Sequence, residues 1–301
     1  MIDIISKKNW YFAISLLVVI PGLIALMLYG LNLSIDFIGG SRLTVLFSQK
    51  VEKKTSEEVK DILVKNNIKI STTEISDKSV LIRTSPMDQK QNANFVTELS
   101  KKFKDAKETQ FETIGPAIGE ETTANAIKAV IFASILIILY ITWSFRSVPK
   151  PASSLRFGVC AIIALIHDIL VVVGIFAILG RFFSVEVDSL FVTALLTVIG
   201  FSVHDTIVVF DRIRENLKRM AGVPFSQIVN ESILQTLDRS LNTSLTVILV
   251  LFALLLFGGE TIRWFVVALL IGIISGTYSS IFNASPLLVL WHELAEKRKK
   301  K

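Results

Sequence analysis

The stretch SVHDTIVVFDRIREN, residues 202–216, begins inside a long run of apolar residues and ends in a cluster of charges. Asp205 therefore lies within a segment that is long and apolar enough to cross a membrane. An ionisable side chain in hydrocarbon costs several kcal/mol unless it is paired or hydrated, so it usually faces the interior of a helix bundle. The setting of Asp205 thus bears on both fold class and function.

Composition extends this picture to the whole chain. Of its 301 residues, 51% are hydrophobic and 19% are charged, which is typical of a polytopic membrane protein. A helix needs about 18 or more apolar residues to cross roughly 30 Å of hydrocarbon. Runs of that length predict transmembrane helices, and Pro286 would kink the last one. The six runs cover residues 10–29, 124–143, 157–179, 190–210, 241–257 and 264–291.

The basic residues predict the orientation, because short loops rich in Lys and Arg stay on the cytoplasmic side of a membrane. Four such segments place both termini in the cytoplasm. The net charge of +6 follows from this topology and requires no nucleic acid partner. The segments hold Lys7 and Lys8; Arg146, Lys150 and Arg156; Arg212, Arg214, Lys218 and Arg219; and the tail at residues 297–301.

A polar stretch between the first and second runs is too long to be a passive loop. Its pattern alternates in the order βαββαβ, which is typical of the split ferredoxin-like motif, and Thr55 or Ser56 is predicted to cap its first helix. The predicted strands are residues 42–47, 68–75, 78–84 and 109–115, and the helices are 55–67 and 87–103. The stretch contains no His or Cys and its carboxylates are scattered among lysines, so a binding or mechanical role is favoured over catalysis.

The chain is therefore predicted to be an α-helical membrane protein with one outer α/β domain. The N-terminus and first helix occupy residues 1–31, the outer ferredoxin-like domain residues 32–122, five further helices residues 123–292, and a basic tail residues 293–301.

Ionisable residues recur in the predicted membrane helices. The third run carries His167 and Asp168, and the fourth carries His204 and Asp205. Each group either belongs to an ion pathway or hydrogen bonds to a neighbouring helix and holds the bundle together. The pathway is favoured for Asp205, both interpretations are open for Asp168, and structural or tuning roles are favoured for the histidines.

The fifth run adds a polar stripe at helical spacing, led by Arg239. Arg239 and Asp205 enter the membrane from the same side at comparable depth, so they can form an ion pair; an interfacial anchor is an equally good interpretation of Arg239. An aspartate that is alternately paired and protonated would act as a switch, because its protonation depends on its partner and its access to water. The stripe comprises Arg239, Asn242, Thr243 and Thr246.

An enzyme is not favoured by the motifs. The dipeptide His-Asp occurs twice and could belong to a metal phosphohydrolase, but the chain has only three histidines. Neither a GxSxG nucleophile motif nor a GxxxxGKS phosphate loop is present. We therefore predict no bond-making chemistry, no metal and no cofactor. The sixth run also holds a set of small residues. They indicate close helix packing, and a helix bend or lipid contact explains them almost as well: Gly272, Ser275, Gly276, Ser279 and Ser280.

Several motifs resemble the SecF family, the smaller half of the bacterial SecD and SecF protein-export accessory complex in the RND transporter superfamily. They are SVHDTIVVFDRIREN, NESILQTLDRSLNTSLT at residues 230–246, FGG at 257–259, SIDFIGGSRL at 34–43 and IGPAIGEE at 114–121. The motif after the first helix keeps Asp36, Phe37, Gly39 and Gly40, whereas Ile38 stands where the family more often has threonine. We expect the turn to survive this change.

The resemblance implies half of an RND unit in the bacterial cytoplasmic membrane. Its partners would be a SecD-like subunit that supplies the other half, the SecYEG channel, the lipid bilayer and a translocating preprotein. Asp205 matches the family's proton-conducting aspartate and Arg239 the basic residue that works with it, with Asp168, His204, His167 and Thr243 as further candidates for coupling or tuning. Residues that match the charged cytoplasmic end of the fourth helix have a structural or a gating role: Asp211, Arg212, Arg214, Glu215 and Asn216.

Two other functions compete with proton-driven preprotein export. Another RND pump, for drugs, lipids or metals, would share the aspartate, but it should carry a larger outer region with a substrate cleft. A scaffold or insertase would use its buried charges only to hold helices together, and it would tolerate substitution of Asp205.

Overall fold

The computed structural model describes residues 3–146, 149 and 153–299. Three lysines of the orientation argument, Lys150, Lys300 and Lys301, lie outside the described residues. By contacts the chain forms two compact units. A helical unit comprises Met1–Asn32 and Lys128–Lys301, and an α/β unit comprises Leu33–Ile127.

The described elements follow one another as a helix, a small α/β unit and a long series of helices. In chain order they are α1 (Lys8–Tyr29), α2 (Ile35–Ile38), β1 (Gly40–Phe47), α3 (Lys53–Lys65), β2 (Ile70–Ile75), β3 (Ser79–Thr84), α4 (Gln89–Lys102), β4 (Ala106–Ile114), α5 (Pro116–Ser144), α6 (Ser154–Phe183), α7 (Ser189–Arg219), α8 (Phe225–Phe257), α9 (Arg263–Ser279), a π-helical segment (Ser280–Ala284) and α10 (Ser285–Lys299). Within the described part of the chain, six spans are long and apolar enough to cross a membrane, which confirms the six predicted helices. The sixth span joins α9, the π-helical segment and α10.

The π-helical segment stands directly before Pro286 in the sixth span. Proline has no backbone N–H and crowds the preceding turn, so a regular α-helix cannot continue through it unchanged. The Ser285 hydroxyl donates to the backbone carbonyl of Ser280 at 3.2 Å and satisfies one acceptor in the widened turn. Single π turns inside helices are frequent at functional sites.

Helices α7 and α9 lie at the centre of the helical unit and are largely buried, whereas α5 and α8 are mostly exposed. Glycines bring the two central backbones together. A Cβ placed on Gly276 would lie 2.9 Å from the Cβ of Ser202, and one placed on Gly272 would collide with Val198. The predicted close packing of the sixth run therefore occurs inside this chain, between α9 and α7.

A second close approach joins α1 to α6. A Cβ on Gly174 would lie 2.7 Å from the Cα of Gly22, a distance that real side chains do not adopt. Without a strong hydrophobic force between membrane helices, packing of this kind supplies much of their association energy. The contact between Gly22 and Gly174 therefore sets the distance between α1 and α6.

The α/β unit is a four-stranded antiparallel sheet with the strand order β2-β3-β1-β4. Together with α3 and α4 it confirms the predicted βαββαβ order. Alternate residues of β1 and β3 turn to the core, as the period of a strand requires. The core also takes in apolar side chains one helical turn apart on α3 and α4. Its buried members include Leu43, Val45, Val59, Leu63, Val80, Ile82, Phe95 and Leu99.

The first helix of the unit does not start where the sequence predicts. Neither Thr55 nor Ser56 is its cap, because α3 begins at Lys53 after Glu52, which makes no side-chain cap hydrogen bond. Ser56 is buried inside the first turns instead. The second helix, α4, does carry a capping box, in which Asp88 accepts from the backbone of Gln91 at 2.7 Å.

Glu108 is a partly buried carboxylate on β4. Burial raises the pKa of its carboxyl above the ordinary value, and a hydrogen bond from the Asn92 amide to Oε2, 3.1 Å long, acts against that rise. Because its folded-state pKa is raised, the folded chain binds this proton more tightly than the unfolded chain. The contribution of Glu108 to stability is therefore lost as pH rises through the folded pKa.

We expect Gly174→Ala to weaken the bundle by about 1–3 kcal/mol, because the new methyl group forces α1 and α6 apart. The measurement is the thermal unfolding midpoint of the full chain in detergent. Gly200→Ala is the matched control, since a Cβ there meets nothing within 4 Å and alanine is the better helix former. Equal midpoints for the two variants would contradict the proposed close contact.

We expect Glu108→Gln to stabilise the sheet at neutral pH, because the amide carries no charge to desolvate. Hydrogen exchange of the β4 amides in the full chain should then be slower than in the unmodified chain, and the difference should disappear at acidic pH. Glu57→Gln, on the exposed surface of α3, should show no such difference. A β4 protection ratio that is constant with pH would refute the assignment.

Candidate functional site

Asp205 lies on α7, only 2% exposed, in the middle of the helical unit. Its Oδ2 accepts from the hydroxyls of Ser244 on α8 and Thr277 on α9, each at 3.4 Å. Both hydroxyls have nearer partners: they lie 2.6 Å from each other, and Thr277 also donates to the carbonyl of Ile273 at 2.9 Å. A hydroxyl has only one proton to donate, so Asp205 is weakly held.

Arg239 does not pair with Asp205. Among residues 3–146, 149 and 153–299, no basic side chain forms an ion pair with Asp205, and the Arg239 side chain is exposed. The residue of α8 that reaches Asp205 is Ser244, more than one helical turn further along. The helix is rotated so that Ser240 and Ser244 face inward while Arg239 faces outward. The predicted ion pair is therefore not formed within this chain.

The whole predicted stripe on α8 shares this outward direction. Arg239, Asn242, Thr243 and Thr246 are all exposed. Two of its hydroxyls bond to their own helix: Thr243 donates to the carbonyl of Arg239 at 2.9 Å, and Thr246 donates to that of Thr243 at 2.8 Å. The stripe thus exposes polar side chains on a membrane helix.

A second exposed stripe runs along α7. His204 is exposed, although the adjacent Asp205 is buried. Thr193, Thr197 and Gly200 are exposed on the same face, at spacings of four, three and four residues up to His204. We call this face and the α8 stripe together the polar surface. It comprises Thr193, Thr197, Gly200, His204, Arg239, Asn242, Thr243 and Thr246.

Asp168 on α6 has a setting opposite to that of Asp205. It is 0% exposed, and its Oδ2 accepts from Ser202 on α7 at 2.5 Å and from Ser279 at 2.6 Å. Its Oδ1 accepts from Ser275 at 2.7 Å and contacts the Nδ1 of His167 at 3.0 Å. His167 thus orients towards its own neighbour in sequence, and its Nε2 has no hydrogen-bond partner among the described residues.

The hydroxyl residues around the two carboxylates are the part of the site that sequence reasoning missed. The sequence indicated only a packing role for Ser275 and Ser279, and it predicted no role for Thr277. One signal was available, since Ser275 and Ser279 are four residues apart in an apolar run and therefore share a helix face. The missed ligands are Ser202, Ser244, Ser275, Thr277 and Ser279.

The charged end of α7 is held by local contacts. Asp211 and Arg214 form an ion pair at 2.5 Å, and Arg212 pairs with Glu215 at 2.7 Å. Asn216 is buried and donates to Ser232 at 2.9 Å and to Gln235 at 3.0 Å, which ties α7 to α8. These contacts are compatible with the structural interpretation of this charged end, and they do not test the gating one.

The double-glycine motif forms a turn in the α/β unit, in line with the expectation for Ile38. Gly39 and Gly40 have φ of 72° and 127°, values that favour glycine. The turn packs on the start of α5, where a Cβ on Gly119 would lie 2.9 Å from the carbonyl oxygen of Phe37. Asp36 stands in the first turn of α2, where its N–H donates to Ser34 Oγ at 3.2 Å. The motifs at residues 34–43 and 114–121 are therefore two sides of one contact.

Comparison with known proteins agrees with this geometry. The C-terminal region of the protein export membrane proteins SecD/SecF matches residues 94–294, and the SecD/SecF GG motif matches residues 24–51. The protein translocase subunit SecF of Thermobaculum terrenum is 50% identical, over 97% of this chain and 94% of that protein. The chain belongs to the SecF family. It is therefore a multi-pass membrane protein and a transport component.

Other SecF-family comparisons support the same assignment. The SecF of Anaerolinea thermophila is 46% identical, over 97% of this chain and 94% of that protein. The crystal structure of SecDF from Thermus thermophilus, a translocon-associated membrane protein, has 34% identity and a TM-score of 0.82, over 96% of this chain and 38% of that chain. This SecF-family chain thus spans little more than a third of SecDF. The match confirms the predicted RND-type fold.

Proposed function

We propose that this chain works as the SecF-type half of a SecD–SecF complex in the bacterial cytoplasmic membrane and uses the proton motive force to complete preprotein export. Asp205 is the proton carrier in this proposal. Its partners are a SecD-like subunit, the SecYEG channel that delivers the preprotein, and the preprotein itself. The chain makes or breaks no covalent bond of its substrate.

The observation that carries the proposal is the weak hold on a buried carboxylate. Asp205 is almost fully enclosed, yet its two hydrogen-bond donors lie 3.4 Å away and have nearer partners. A group that must take up and release a proton in each cycle cannot be locked by strong donors in one state. Moving one charge through the membrane field supplies roughly 2.3 kcal/mol per 100 mV.

The polar surface supports the SecD-like partner. Polar side chains on a membrane helix are costly against lipid, so they face protein or water. In this chain they are exposed on α7, which carries Asp205, and on α8. A second subunit that covers this surface would enclose His204 and Arg239 beside the proton carrier. Arg239 then acts at the subunit boundary rather than through a pair formed inside this chain.

Orientation completes the proposal. The basic segments face the cytoplasm, so both termini lie there and the α/β unit lies on the opposite side of the membrane. A preprotein emerges from a translocation channel on that outer side. In this proposal the α/β unit holds or releases the emerging chain. Helix α5 begins within this unit, at its contact with the double-glycine turn, and continues along the chain as a membrane helix.

We expect Asp205→Asn to abolish gradient-dependent export, because the amide has the same shape but cannot carry a proton. A secreted reporter is followed in cells whose only copy of the protein carries the change, with membrane abundance checked by immunoblot. Export should fall to the level of cells without the protein. Asp61→Asn, on the exposed surface of α3, should retain export. Normal export by Asp205→Asn would make Asp205 a structural residue and support the scaffold alternative.

We expect single cysteines on the polar surface to crosslink to the SecD-like subunit. Thr246→Cys, in a chain whose Cys160 is replaced by alanine, should form a crosslinked heterodimer in membranes treated with a short bifunctional thiol reagent, given a cysteine on the facing helix of the partner. Leu241→Cys is the control, because this exposed apolar residue lies five residues before Thr246, about 140° around α8. Equal yields from both positions would argue against a subunit contact at the polar surface.

A further inference from the structure

Both oxygens of Asp168 accept short hydrogen bonds. An ionised carboxylate offers about four lone-pair positions. Two hydroxyls donate to Oδ2 and one donates to Oδ1, which also lies 3.0 Å from Nδ1 of His167. The three hydroxyl contacts, from 2.5 to 2.7 Å, fall in the range of O–H donors to a charged oxygen, about 2.5–2.7 Å. With the proton of His167 on Nδ1, a protonated Asp168 would have to donate one hydrogen bond itself and displace one of these donors. In that tautomer the geometry fits the ionised form.

The donors come from the two helices that surround Asp205. Ser202 lies on α7, one turn before Asp205 and on the same side of the helix. Ser275 and Ser279 lie one turn apart on α9. Thr277 stands midway between them in sequence, which places it about 200° around the helix from each, on the side that contacts Asp205.

Each of the three serines has Asp168 as its nearest acceptor. Ser279 is the informative case, because its other contact, the carbonyl of Gly276, lies at 3.2 Å compared with 2.6 Å for Asp168. The adjacent Ser280 is equally buried but does not contact Asp168. Its hydroxyl contacts the Thr206 hydroxyl and the Gly276 carbonyl, both at 2.8 Å, and the Ser202 carbonyl at 3.3 Å. The contact with Asp168 therefore depends on how α9 is rotated about its own axis.

From these contacts we infer that Asp168 is a positioning residue. It is a permanent acceptor that fixes the rotation of α9 against α7 and so keeps Thr277 at Asp205. It carries no proton in the cycle. This inference rests on the proposed role of Asp205, but its test does not require export. The titratable neighbour of Asp168 among its four donors is His167, on its own helix.

The test uses two adjacent serines as matched variants, in the full chain purified with its partner subunit and placed in lipid nanodiscs. Ser279→Ala removes one donor to Asp168, and Ser280→Ala removes a buried hydroxyl next to it. Asp168→Asn removes the acceptor. Because Asp168→Asn can impair folding, the serine pair by itself is sufficient to test the inference.

Two measurements separate positioning from proton carrying. Infrared titration detects the carbonyl stretch of protonated carboxyl groups, and comparison with Asp168→Asn and Asp205→Asn assigns the bands. Labelling by a hydrophobic carbodiimide, which reacts with protonated carboxyls, is followed at Asp205 by mass spectrometry of the digested protein. Neither measurement depends on whether a reporter protein is exported.

We expect the protonated-carboxyl band to belong to Asp205 and not to Asp168. We also expect the labelling rate of Asp205 to rise several-fold in Ser279→Ala, because Thr277 is no longer held in place, and to stay unchanged in Ser280→Ala. A band that titrates and is lost in Asp168→Asn would overturn the inference. So would equal labelling of Asp205 in the two serine variants. If Asp205→Asn exports normally while these rates differ as expected, the coupling role fails and the positioning of α9 stands.

Discussion

The backbones of α7 and α9 approach closely where Gly276 faces Ser202, and the polar centre of the protein depends on this contact. Two buried carboxylates lie beside it in a medium that penalises any unsatisfied charge. A side chain at Gly276 would push the helices apart and remove the hydroxyls from reach of both. The hydrogen bonds to the buried carboxylates therefore form only when the two helices pack closely. The small residues of α9 allow this packing.

The two aspartates show how similar sequence contexts acquire different chemistry. Each follows a histidine in an apolar helix, and each is almost fully buried. Short donors saturate Asp168, whereas Asp205 has two distant donors with better partners elsewhere. A saturated carboxylate stabilises one arrangement of helices, and a weakly held one can change its protonation at low cost. In the proposed cycle, Asp168 holds the helices and Asp205 carries the proton.

The polar surface is the feature of this chain that supports the proposed second subunit. A folded bundle normally turns polar side chains inward, yet α7 and α8 leave a histidine, an arginine and several hydroxyls exposed. Association of membrane helices depends on packing and on hydrogen bonds rather than on the exclusion of water. A second bundle with matching polar groups satisfies both requirements, which agrees with the similarity of this chain to a part of SecDF.

The sequence by itself determined the six membrane spans, the βαββαβ order, the family and the prominence of Asp205, because hydropathy, periodicity and short motifs are local properties. Only the tertiary structure decided which groups meet. An ion pair with Asp205 was one of two interpretations of Arg239, which faces outward. Thr55 or Ser56 was expected to cap α3, but both lie within it. The serines around Asp168 were not recognised as its hydrogen-bond donors. Each of these outcomes depends on the rotation of a helix about its axis or on its first residue, which contacts with other elements decide.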